Sequence, residues 1–122
     1  METNRILVGC FAMSAIALGA GTSACEANLP PPNNEWAAAQ ADVGRAQTGG
    51  APGVPAAKLH LQLAQEDLAT SKQLFERDNR RAATLVALAR SEAQLALSLS
   101  KEAVALNEAS AADDALAKAT GK

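Results

Sequence analysis

The residues able to do chemistry are few and widely spaced. His60 is the only histidine of the 122-residue chain, and the two cysteines, Cys10 and Cys25, both fall near its start. Neither zinc ligation nor a nucleophilic triad has its parts, since each needs three or four such groups converging. His60 sits beside an apolar stripe and reads as a half-exposed surface histidine. Glu92 and Glu102 lie ten residues apart, close to the stripe formed by Leu88, Leu95 and Leu99. Paired acid–base carboxylates would have to sit nearer, across a cleft. Salt bridging to lysine or arginine, or solvent exposure, is the expected role of these two. Asp113 and Asp114 read as solvated or capping residues, because calcium takes about six or more oxygen ligands. The glycine-rich stretch GGAPGVP lacks the lysine and hydroxyl residue of a phosphate loop. No catalytic residue, metal or cofactor is expected, and the chain does not read as an enzyme. The most prominent charged group is Arg77, Arg80 and Arg81. Its plain reading is a solvated turn; its functional reading is a contact for an anionic partner, whether lipid headgroups or an acidic protein surface.

The elements that carry these residues are helical. From 78 to 117 the chain runs for some forty positions without proline or glycine. Within it Ala82, Leu85, Val86, Ala89, Ala93 and Ala96 recur at three- and four-residue spacing, and Leu99, Ala103 and Leu106 extend the pattern along one amphipathic helix. A second helix, about 56–77, carries Leu61, Ala64, Leu68, Ser71 and Phe75. A shorter one, about 35–47, is weakened by Gly44 and ended by Gly49 and Gly50. Asp78 or Asn79 is placed to cap the third helix, about 79–118, and so short a connection folds helices two and three into an antiparallel hairpin. The expected fold is all-α, a short helix plus a long antiparallel hairpin. The third helix outruns the second, so its portion after about Val104 either folds back on the first helix or pairs with another copy. Trp36 is expected at the end of the bundle or at a lipid interface.

Composition sets the character of this fold. Hydrophobic residues make up 48% of the chain, but most are alanine and aromatics are only 2%, so the core is thin and depends on helix propensity and close helix approach. A net charge of -2 lacks the basic surplus of a nucleic-acid binder. No small-molecule substrate is evident either.

The first residues, METNR, precede an apolar run over 6–20, shorter than the ~20 residues of a membrane-spanning helix. This is the pattern of an export signal. Gly21, Thr22, Ser23 and Ala24 lead into Cys25 in a way that resembles the lipobox of bacterial lipoproteins, with Thr22 where leucine is commonest. The resemblance implies cleavage before Cys25 and acylation of its sulfur. Leu7, Val8 and Gly9 before Cys10 have better lipobox letters but leave no room for an apolar segment ahead of them. Residues 1–24 are thus expected to be a lipoprotein signal peptide, 25–34 a proline-rich tether in which Asn33 and Asn34 can cap a helix, and 35–122 the helical domain.

The helical part resembles a family of short alanine-rich bacterial lipoproteins with a helical-hairpin domain of unknown function, sometimes fused to an OmpA-like domain. Asp78, Ala82, Leu85, Val86, Ala89, Glu92, Ala93 and Ala96 carry the likeness in the third helix, and Leu61, Ala64 and Leu68 in the second. Arg77 stands where the family has a turn glycine, and Asn79 where an aromatic is common. What this resemblance implies is a membrane lipoprotein of the bacterial envelope, facing the periplasm and favouring the outer membrane, with no catalytic residues. The expected function is a structural or adaptor role through helix–helix contact with itself or another envelope protein. The alternative is an accessory binding module of an envelope export or transport complex.

Overall fold

The computed structural model describes residues 29–121; the signal peptide expected over 1–24, Cys10, Cys25 and the start of the tether lie outside the described residues. The described part is all-α: α1 (Asn33–Thr48), a short 3-10 turn (Ala51–Gly53), α2 (Pro55–Leu74) and α3 (Asn79–Ala119). No helix among the described residues is long and apolar enough to cross a membrane.

The breakers fall where their chemistry requires. Pro55 opens α2 at a position where its missing N–H is no loss. Gly50 takes φ +90, a left-handed conformation that suits glycine, to turn the chain out of α1. Gly49 is needed for space: a Cβ there would lie 2.5 Å from Cδ1 of Leu97. Asp78 caps α3 by accepting from the Arg81 amide at 2.9 Å.

Two boundaries differ from the sequence expectation. Asn33 and Asn34 do not cap α1 from a tether but form its first turn, with Pro32 at the N-cap and no side-chain bond to it. Proline fixes φ near helical values, so the helix starts directly after the proline run. α2 ends at Leu74, not Arg77, and Glu76 adopts φ 70 in the turn that reverses the chain. The buried side chain of Asn79 holds that turn by accepting from the Glu76 amide at 2.8 Å, and its amide nitrogen donates to the Leu29 carbonyl. The incoming chain is thereby tied to the foot of α3.

α2 and α3 pack along seams of small residues. Ala57, Leu61, Ala64, Leu68 and Ser71 meet Ala82, Val86, Ala89, Ala93, Ala96 and Ser100, both series stepping by alternate fours and threes. This is the 3.5-residue repeat of helices that wrap round one another. Val86, Ser71 and Ser100 are the largest side chains almost wholly buried, so the backbones approach closely. The two seam serines cost nothing unsatisfied, each donating at 2.8 Å to the carbonyl three residues before it.

α1 lies against both other helices, adding Ala39, Val43 and Ala46 to the core. Trp36 donates to the Leu68 carbonyl at 3.2 Å, and the Lys72 ammonium sits over both Trp36 (4.8 Å) and Phe75 (4.5 Å). Trp36 thus packs at the end of the bundle. Beyond this core α3 continues alone: residues 104–121 are all exposed. An isolated helix of that length would be marginal, but here the packed half has already nucleated it.

Candidate functional site

Three surfaces bring polar or charged side chains together. The first is the foot of α3. Arg77 lies in the turn and Arg80 and Arg81 in the first turn of α3, all exposed, so the structure gathers the three predicted arginines at one end of the bundle. The positive end of the α3 dipole lies there too, offset by the Asp78 cap. Leu29 reaches the same place through Asn79. Cys25, four residues before Leu29, lies outside the described residues; four residues of extended chain span at most about 14 Å.

The second surface is the α1–α3 contact. Asp42, with 3% of its side chain exposed, pairs with Arg45 one turn on and accepts from Arg90 Nε at 3.2 Å. Its two cations remain about half exposed, so the carboxylate is desolvated while the positive charge stays wet. That is the geometry of a helix-to-helix clamp. The sequence shows Arg45 three residues on, but not Arg90, which is 48 residues away.

The third surface lies across α2 and α3. His60 and Glu92, expected to be separate surface residues, face each other with Nδ1 2.5 Å from Oε2. Glu92 therefore takes a histidine and not the lysine or arginine expected for it. Folding the second helix onto the third about the turn brings 60 opposite 92, and that register was the available signal. Asp67 lies on the same side of α2. Burial pushes its carboxyl above its usual range, and the charges of Glu92 and Glu66 push it further. Around these groups Leu63 (39%), Leu88 (46%) and Leu95 (42%) remain substantially exposed. Glu102 does not join the group and is exposed.

An open groove of about 390 Å³ between α1 and α2 is lined by Gln40, Gly44, Gln47 and Gln65 with Val43 and Leu68. It holds no titratable group. Among the described residues no three His, Cys, Asp or Glu side chains are grouped to hold a metal ion.

Fold and surfaces together define an all-helical protein whose polar groups link helices to one another. Comparison with models of known protein families, with curated proteins and with solved structures found no match.

Proposed function

We propose that this chain is a non-enzymatic lipoprotein of the bacterial envelope, similar to the alanine-rich helical-hairpin lipoproteins, and that it works as a structural or adaptor protein through helix–helix contacts. Acylated at Cys25, it faces the periplasm from the membrane, with the outer membrane favoured. The observation that carries the contact role is the second half of α3. A helix that projects beyond its own bundle, exposed over residues 104–121, has no part in holding the bundle together and is available to something else. The anchor reading draws support from the tie between Asn79 and Leu29, which holds Leu29, four residues after Cys25 in sequence, at the arginine-bearing foot of α3. Multiple acyl chains, each methylene adding about 0.8 kcal/mol, would hold that end stably on a bilayer.

The test is the intact mass of the protein recovered from the membrane fraction of a bacterial host, for wild type and for Cys25→Ser. A species beginning at Cys25 and heavier by acyl chains, absent in the variant, is the expected result. An unacylated product cleaved elsewhere, or an intact N-terminus, would refute the lipoprotein assignment. An accessory-module role would show instead as a monomer that co-purifies with a transport complex after crosslinking.

A further inference from the structure

The face of α3 turned away from α1 carries a second repeat. Leu85, Leu88, Leu95, Leu99 and Leu106 recur at threes and fours, and Glu92 and Glu102 complete the series without a gap. Arg90 and Leu97 define the α1 side, one bonding Asp42 and the other filling the space above Gly49. Glu92 lies two residues beyond Arg90, about 200° round the helix, and meets His60 of α2. The leucine seam therefore borders the open side of the α2–α3 pair. Leu88 is 46% exposed, Leu95 42% and Leu106 63%, with Leu59 and Leu63 of α2 exposed alongside. Leucines at this repeat are the knobs of a helical interface, and this one has no helix on it among the described residues.

Charge identifies the occupant. At the foot of α3 Arg77, Arg80 and Arg81 outnumber Glu76 and Asp78, while on its projecting end Asp113 and Asp114, toward the leucine side, and Glu108, on the far side, outnumber Lys118. Laid antiparallel on a second copy, with Leu88 across from Leu99 of that copy and Glu92 across from its Leu95, α3 sets residues 106–108 level with the first turn of the other α3 and carries Asp113 and Asp114 just past it, beside the turn that bears Arg77. The acidic stretch of each projection then lies over the basic foot of the other. A parallel pair would stack Glu92 on Glu92 and Glu102 on Glu102 and set the two acidic ends side by side, which like charges oppose. We propose that two copies of this chain associate antiparallel through the leucine face of α3, each projecting end clasping the arginine foot of its partner. This deepens the helix-contact reading of the protein and does not depend on acylation.

The test uses the full chain in mild detergent with Cys10→Ser and Cys25→Ser in the background, so the state of the anchor cannot affect it. Leu88→Cys with Leu99→Cys in one chain should give a disulfide-linked dimer under mild oxidation, whereas Leu88→Cys alone should not. The two positions are about 16 Å apart along one helix, too far to close within a chain. Because Leu99 touches the core, helicity by circular dichroism confirms the fold of each variant. In sedimentation at low salt, Asp113→Arg with Asp114→Arg should weaken the dimer about tenfold, as should Arg77→Glu with Arg81→Glu, and the four changes together should restore it. Crosslinking through Leu88→Cys alone would show a parallel pair and overturn the proposal. So would a monomer at every concentration, whether residues 6–20 of the same chain or a different protein covers the face. A monomer would leave the mass test at Cys25 unaffected, so the two readings fail separately.

Discussion

Replacing Asn79 by alanine removes two hydrogen bonds that hold different parts of the chain. One, at 2.8 Å from the Glu76 amide, fixes the left-handed turn between α2 and α3; the other holds the Leu29 carbonyl against the foot of α3. Asn79 is only 4% exposed, so water does not replace both partners without movement. At about 1 kcal/mol net for each bond the loss is about 2 kcal/mol, which for a domain of this size lowers Tm by roughly 10 °C. Asn79→Asp separates the two contributions. It keeps the acceptor for Glu76 but sets a carboxylate oxygen against the Leu29 carbonyl in a buried site, so its total cost should be at least that of alanine while the turn bond itself survives. Urea unfolding gives the totals, and native-state hydrogen exchange assigns them. The Glu76 amide should exchange faster in the alanine variant and stay protected in the aspartate variant. An alanine variant within about 0.5 kcal/mol of wild type, or equal exchange at Glu76 in both variants, would refute this account of the turn.

Asp42→Ala should destabilise by about 2 kcal/mol, less than a fully buried ion pair would, because Arg45 and Arg90 can turn to solvent; a double-mutant cycle with Arg90→Ala that shows no coupling would count against the clamp. Asp67 has a folded pKa above its unfolded one, so the folded state holds the proton more tightly. Stability therefore falls as pH rises through the window just above the usual aspartate range, and Asp67→Asn should raise Tm at neutral pH and flatten that fall in a thermal-melt series. An unchanged slope would contradict the placement of Asp67 among Glu92 and Glu66. Glu76→Gly should stabilise by about 0.5 kcal/mol, the relief of left-handed strain exceeding the entropy glycine adds to the unfolded chain; denaturant midpoints would show it. Truncation after Ala103 should leave the urea unfolding of the bundle almost unchanged at protein concentrations too low for copies to associate, since no residue beyond it is buried.

The helices were legible because alanine and leucine keep a strict rhythm between clusters of proline and glycine. Ala82, Val86, Ala89, Ala93 and Ala96 marked the buried seam of α3, and the excess length of that helix over α2 followed from counting. The end of α2 was not legible: Phe75 continues the apolar stripe, but Asn79, four residues later, captures the Glu76 amide and stops the helix early. The Asp42 clamp and the His60–Glu92 pair were hidden for a different reason. Each joins residues far apart in sequence, at separations of 48 and 32, and only the register of one helix on another brings them together. The three arginines were found because they are close in sequence as well as in space.

The bond between Asn79 and Leu29 also sets the first described residue far from the end of α3. It fixes residue 29 at the beginning of α3, and the 41 residues of that helix then carry its other end, Ala119, about 60 Å away. The bundle grips only the lower part of this rod, so the upper part behaves as a lever arm whose pivot is the alanine seam. From the end of the seam at Ser100 to Ala119 the arm is about 28 Å, so a tilt of about 10° there would sweep the tip through roughly 5 Å. A small slip between α2 and α3, too slight to break any core contact, would thus be read at the far end as a displacement of about half the width of a helix.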